Sequence, residues 1–171
     1  LNAGTNQWSE EFSFPAENPG IHPNGSLQPG PDGKLYGTTR EGGNYNAGVI
    51  FRVDTSGSGY EVLHNFNNAS GTIPKGDLLL ASNGLFYGMT SRGGSLFSFD
   101  PVSLIFRSLS NTSVAKGGLI EASDGKIYGL SYLGHHVFAW NPLADSLEFV
   151  AELSPAQGRR PSGTLVEASD G

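Results

Sequence analysis

The reading of this chain turns on residues 32–54, Asp32-Gly33-Lys34-Leu35-Tyr36-Gly37-Thr38-Thr39-Arg40-Glu41-Gly42-Gly43-Asn44-Tyr45-Asn46-Ala47-Gly48-Val49-Ile50-Phe51-Arg52-Val53-Asp54. A turn pair, Asp32-Gly33, opens into a short run carrying Leu35 and Tyr36. A glycine-rich loop follows, and then a second apolar run from Val49 to Val53. Short segments rich in β-branched or aromatic residues, bounded by Gly, Asn, Asp or Pro, read as strands. Asp-Gly supplies the left-handed backbone positions that a tight hairpin needs.

The same pattern recurs along the chain. Upstream of the turn stands Pro23-Asn24-Gly25-Ser26-Leu27. Its counterparts are Pro74 to Leu78 before Asn83-Gly84, Ala115 to Leu119 before Asp124-Gly125, and Pro161 to Leu165 before Asp170-Gly171. The leucine precedes the turn glycine by six residues each time, and the period is 51, 41 and 46 residues. Tyr36-Gly37 returns as Tyr87-Gly88 and Tyr128-Gly129. Val49–Val53 returns as Leu96–Phe99 and Val137–Trp140. A fourth apolar element reads Tyr60–His64, Leu104–Leu109 and Leu147–Leu153. Four strands per period of about 40–50 residues is the pattern of a β-propeller blade. The expectation is therefore an all-β chain, a β-propeller of four-stranded antiparallel blades. In that frame the repeated Tyr supplies a large apolar body between sheets, and the following Gly allows a neighbouring backbone or ring to approach closely.

The blades are expected at 23–66, 74–110 and 115–153. Residues 1–14 align with 140–153 and read as the end of a preceding blade, and 161–171 reads as the first strand of a next one. The whole is expected to be one repeat array, about three complete blades with a partial blade at each end. It reads either as an excerpt of a longer array or as an arc completed by partner chains, with open blade edges available for self-association.

Composition agrees with many tight turns: 25 glycines in 171 residues, 37% hydrophobic and only 15% charged. The net charge is −6 with ten Lys plus Arg, so no basic patch for nucleic acid stands out. No apolar stretch approaches the roughly 20 residues of a membrane span. There is no cysteine, which removes disulfides, zinc–thiolate sites and cysteine nucleophiles from consideration. A Cys-free, weakly acidic chain rich in Asn, Gly, Ser and Thr points to a secreted or cell-surface bacterial protein.

Residues 32–54 resemble the Gloeobacter/Verrucomicrobia repeat family, bacterial extracellular tandem repeats. The shared core is Asp32-Gly33-x-Leu35-Tyr36-Gly37-Thr38-Thr39, the Gly42-Gly43 loop, and Gly48-x-x-Phe51-x-x-Asp54. The second copy keeps Tyr87-Gly88 and Gly93-Gly94 with a shorter loop. The third keeps Asp124-Gly125 and Tyr128-Gly129 but has Leu133-Gly134-His135 where the double glycine stood. The resemblance implies a secreted or surface-anchored propeller-like protein and no particular activity. A looser likeness to kelch blades rests on the glycine pair.

In a four-stranded blade the second-to-third strand loop and the link to the next blade lie at one end of the disc, opposite the Asp-Gly hairpins. The first set is longer and more varied here: 40–47, 91–95, 132–136, and links 15–25, 67–75, 110–116 and 154–162. Varied loops on a repeated scaffold are the usual place for binding. Arg40, Asn44, Tyr45, Arg92, Tyr132 and His135 are the candidate ligand contacts, since aromatic faces with guanidinium and amide donors suit sugar rings and hydroxyls. Their alternative role is that of ordinary solvated loop residues.

Other features carry less. His135-His136 are adjacent in extended chain, so they point apart and are not expected to share a metal. His22 and His64 show no carboxylate or second histidine at ligand spacing. Asp32, Asp124 and Asp170 suit turn chemistry better than calcium, which needs several oxygens at one point. Trp140 is expected in the core, and Trp8 at the rim as packing. Glu10, Glu11, Asp145 and Glu148 form no evident glycosidase pair, and there is no phosphate loop or nucleophile elbow. Neither a catalytic constellation, a metal site nor a cofactor is expected. Three functions stay open: a non-catalytic module binding carbohydrate or protein on its loop face, a self-assembling structural repeat of a fibre or surface layer, and part of a polysaccharide lyase or hydrolase.

Overall fold

The computed structural model of the protein describes residues 19–93, 95–111, 117–131, 135–154 and 163–168. They hold three four-stranded sheets and no helix. The first comprises β1 (Gly20–Pro29), β2 (Leu35–Gly42), β3 (Val49–Val53) and β4 (Glu61–Asn65). The second comprises β5 (Thr72–Leu80), β6 (Phe86–Arg92), β7 (Ser95–Phe99) and β8 (Phe106–Asn111). The third comprises β9 (Ile120–Glu121), β10 (Ile127–Ser131), β11 (His136–Asn141) and β12 (Ser146–Glu152). Each sheet is an antiparallel meander in chain order. A register shift falls at the same place in all three, before Phe51, Phe97 and Phe138.

The first strands begin earlier than the sequence pattern predicts. Gly20 pairs with Gly42 and Thr72 with Arg92, so part of the expected links 15–25 and 67–75 is strand. Pro23 and Pro74 are tolerated there because β1 and β5 are edge strands of their sheets, where a missing N–H interrupts no ladder on the outer side.

The cores lie between sheets. One cluster joins Tyr36, Ala47 and Ile50 of the first sheet region to Leu78, Phe86, Phe97 and Phe99 of the second, with Phe66 from the link. The next joins Ala81, Tyr87, Met89 and Leu96 to Leu119, Ile127, Phe138 and Trp140 of the third. Trp140 is thus a core residue, as expected; Trp8, Glu10 and Glu11 lie outside the described residues. The inner-strand leucines, equivalent by sequence, differ in the fold. Leu78 and Leu119 are plugged into the core shared with the preceding sheet, whereas Leu27 is 45% exposed.

The repeated motif has a physical reading at every position. The Asp32 carboxylate accepts the Lys34 N–H and the Tyr36 hydroxyl, and Asp124 does the same for Lys126 and Tyr128. In the second copy the Asn83 side-chain amide donates to the Tyr87 hydroxyl and its carbonyl accepts the Leu85 N–H. The turn acid therefore closes its own turn and caps the tyrosine that enters the core. Burial would raise the Asp32 carboxyl; the Lys34 N–H, the Tyr36 hydroxyl and the Arg52 guanidinium outweigh it and hold it below the usual range. The glycine after each tyrosine faces a phenylalanine across the ladder: Gly37 and Phe51, Gly88 and Phe97, Gly129 and Phe138. The close approach expected at these glycines comes from that ring.

Polar ties also cross between sheets at the hairpin end. The Ser82 N–H and hydroxyl donate to Glu121 (2.7 and 2.5 Å). Ser123 repeats this toward Glu167, with its hydroxyl at 2.7 Å. The equivalent positions in the first pair of sheets are Pro31 and Leu80.

Candidate functional site

The loop face carries a cleft of about 660 Å³ between the first and second sheets. It is lined by Tyr45, Asn46 and Ala47 from the β2–β3 loop, by Asn67, Asn68, Ala69, Thr72 and Ile73 from the β4–β5 link, and by Arg92 at the end of β6. Its walls are built by main-chain ties. Thr39, the last residue of the Tyr-Gly-Thr-Thr run, is fully buried. Its hydroxyl donates to the Glu41 carbonyl (2.9 Å) and accepts the Val49 N–H (3.1 Å), pinning both feet of the loop. The link then hooks on: Phe66 N–H donates to Gly48 O and Ile73 N–H to Ala47 O, both at 3.0 Å.

Ile73 sits in the left-handed region (φ 59°), a strained conformation for a β-branched residue. Its N–H bond to Ala47 and the Ser91 hydroxyl donating to its carbonyl (3.2 Å) hold it there. The link's turn is closed by Asn67, whose side-chain oxygen accepts the N–H groups of Ala69 and Ser70. Asn46 likewise gives its side-chain oxygen to the Gly42 N–H (3.0 Å).

Of the six residues singled out from sequence, the fold brings Tyr45 and Arg92 together in this cleft. Tyr45 is 64% exposed. Arg40, near the end of β2, and Asn44, on the β2–β3 loop, do not line the cleft. Arg40 lies 3.9 Å from Glu41, and the Asn44 N–H is bound to the Asn65 side chain. His135 belongs to the third sheet region, with its carbonyl accepting Leu153 N–H (2.7 Å). Tyr132 lies outside the described residues. Asn46, Asn67, Asn68, Thr72 and Ile73 were not singled out from sequence. Their one signal was the asparagine-rich character of 44–46 and 67–68.

The fold places three of the histidines in defined surroundings. His22 is not alone: Glu41, across the β1–β2 pair, lies 3.4 Å from its Nδ1. His136 packs its ring against Phe149, with centroids 4.7 Å apart. His64 stacks on Phe106 of the next sheet at 3.9 Å, and its Nε2 is buried with no hydrogen-bond partner among the described residues. Burial pushes its pKa down to about 4. Between that value and its ordinary value of about 6.5 the unfolded chain holds a proton that the folded one lacks. Stability should therefore rise with pH across this window, by about 1–3 kcal/mol, the upper figure being that of a fully dry ring. Urea unfolding at pH 4.5 and 7 should show a smaller rise for His64→Leu than for the unsubstituted protein. An unchanged pH dependence in the variant contradicts this assignment.

Among the described residues no group of three or more His, Asp or Glu is placed to hold a metal ion, and no helix is long and apolar enough to cross a membrane.

Sheets stacked through shared cores, with varied loops at one end, define a β-propeller repeat protein. The chain belongs to the Gloeobacter/Verrucomicrobia repeat family, whose sequence model matches residues 1–117. No match is found among curated proteins. Similar solved structures include virginiamycin B lyase from Staphylococcus aureus, with 15% identity and a TM-score of 0.66 over 85% of this chain and 46% of that one. A nidogen/laminin complex gives 16% identity and a TM-score of 0.64, over 85% and 52% of the two chains. The extracellular domain assigned to a hybrid two component system from B. thetaiotaomicron gives 12% and 0.62, over 87% and 19%. At these identities the likeness is one of fold, that of the β-propeller. The chain spans about half the length of these structures or less.

Proposed function

We propose that this chain is a non-catalytic, extracellular propeller module that binds carbohydrate in the loop-face cleft between its first two sheets. The observation that carries the reading is the cleft itself, where an exposed tyrosine stands among asparagines and an arginine. Tyr45 has no ring contact among the described residues, so its face is open to stack on the C–H face of a sugar, while the amides and guanidinium suit hydroxyls. The described lining includes no Asp or Glu, so it offers no carboxylate pair of the kind a glycosidase uses. An extracellular setting fits the cysteine-free composition and the extracellular domain among proteins of the same fold.

The test is a glycan array followed by calorimetry on the best ligand. Binding without turnover is expected, with Tyr45→Ala weakening it about tenfold, the order of one aromatic contact. Binding that survives Tyr45→Ala unchanged would place the ligand elsewhere. A second reading, lateral self-association, is favoured by Phe149 and Val150 on the outer strand β12, exposed by 57% and 53%. Concentration-dependent growth in light scattering, abolished by Phe149→Ser, would support it over ligand binding.

A further inference from the structure

Beside the Asn68 amide and the Thr72 and Tyr45 hydroxyls, which can both donate and accept, three polar groups of the cleft are left as donors alone. The side-chain oxygens of Asn46 and Asn67 are both committed to main-chain N–H groups. A backbone N–H can only donate, so the atom it meets must be the amide oxygen, and the side-chain orientation is fixed. Each residue is left with its NH₂ group, which has no hydrogen-bond partner among the described residues. The Arg92 guanidinium likewise has neither an ion pair nor a hydrogen bond among them.

Glu41, the acid near the end of β2, is engaged by His22 and Arg40. The cleft therefore presents a cation and two amide donors in a chain whose net charge is −6. In such a chain arginines are usually neutralised, as Arg52 is by Asp32 and Glu61, and Arg107 by Asp145. Arg92 has no acid in ion-pair contact among the described residues.

From this we infer that the ligand is an acidic saccharide, one whose sugar carries a carboxylate of the uronic acid type. The inference rests on the carbohydrate reading above and names its ligand class. The planar guanidinium fork of Arg92 matches a carboxylate in two parallel N–H···O bonds. The NH₂ groups of Asn46 and Asn67 donate to ring or hydroxyl oxygens, and Tyr45 covers the apolar face. A neutral sugar would leave the guanidinium without its counter-charge. A sulfated chain offers tetrahedral oxygens to a site with one cation, a poorer match. An acidic peptide would satisfy Arg92 but has no use for the exposed ring.

The experiment is calorimetry on the whole chain with a matched panel: oligogalacturonate, oligoglucuronate and oligomannuronate, their neutral counterparts, a sulfated oligosaccharide and an oligoglutamate peptide. The unsubstituted protein should bind at least one uronate at least tenfold more tightly than its neutral counterpart. Arg92→Gln should erase that preference, the uronate losing at least tenfold more affinity than its neutral counterpart. Arg92→Lys should restore part of it and add salt sensitivity. Arg92 is exposed, so these variants should keep the melting temperature. Equal binding of neutral and acidic sugars, or no effect of Arg92→Gln, overturns the acidic assignment and leaves the carbohydrate reading standing. Preference for the sulfated ligand overturns the carboxylate. Binding of the peptide alone, or of nothing in the panel, overturns both.

Discussion

Gly88→Ala is expected to cost about 3 kcal/mol of folding stability, the upper end of the range for an overpacked core. A Cβ built on Gly88 lies 2.3 Å from Phe97 Cζ and 2.9 Å from both Cε atoms. The ring has nowhere to go. Phe97 is 1% exposed and meets Phe66 and Phe106 at 5.3 Å each. The backbone of Gly88 is not left-handed, so the cost is one of space. Gly33 supplies the control, since a Cβ there meets nothing within 4 Å but its φ is 77°. Gly33→Ala should cost only about 1–2 kcal/mol through the backbone. Adding Phe97→Leu to Gly88→Ala should recover part of the loss, a coupling that urea unfolding of the four species measures directly. If Gly88→Ala costs no more than Gly33→Ala, the ring is not what selects glycine there.

Leu119→Ala should cost about 3–4 kcal/mol, while Leu27→Ala should cost less than about 1 kcal/mol. The two leucines hold the same place in the repeat, and sequence offers no reason to separate them. Leu119 is 7% exposed, inserted among Tyr87, Met89, Leu96 and Phe138, so its removal leaves a cavity that two sheets would have to close together. Leu27 keeps nearly half of its surface in water and has less transfer free energy to lose. Thermal unfolding of the two variants tests the prediction, and equal shifts contradict it.

The blade pattern was legible because it rests on local chemistry repeated three times. Asp32, Tyr36, Gly37 and Phe51 each satisfy a short-range need, such as a turn bond, a hydroxyl cap or room for a ring, so their spacing carries the fold. The early start of β1 and β5 was not legible, since Pro23 and Pro74 read as strand breakers until the edge position of these strands is known. The cleft was legible only in part. Loop-end logic places Tyr45 and Arg92 on the same face as Arg40, Asn44 and His135, but it does not say which of them converge. That choice is made by long-range main-chain bonds, Ile73 to Ala47 and Phe66 to Gly48, between segments that the repeat does not pair. The uncommitted NH₂ groups of Asn46 and Asn67 could not be read from sequence, because they depend on which amide atom the backbone has already claimed.

The serine–carboxylate ties at the hairpin end bear on how such an array can be rearranged. Ser82 and Ser123 each present two donors to a glutamate that follows them in the array, while Pro31 and Leu80 occupy the equivalent positions at the first seam. A glutamate set against Pro31 would meet neither an N–H nor a hydroxyl, and a leucine set against Ser82 would leave two donors idle. The units are therefore alike in fold while the first seam differs in polarity from the other two. Duplication can lengthen the array only where a copy inherits a neighbour of the right polarity. The second and third units thus share one seam chemistry and the first carries another, so a rearrangement keeps these bonds only where a serine again meets a glutamate.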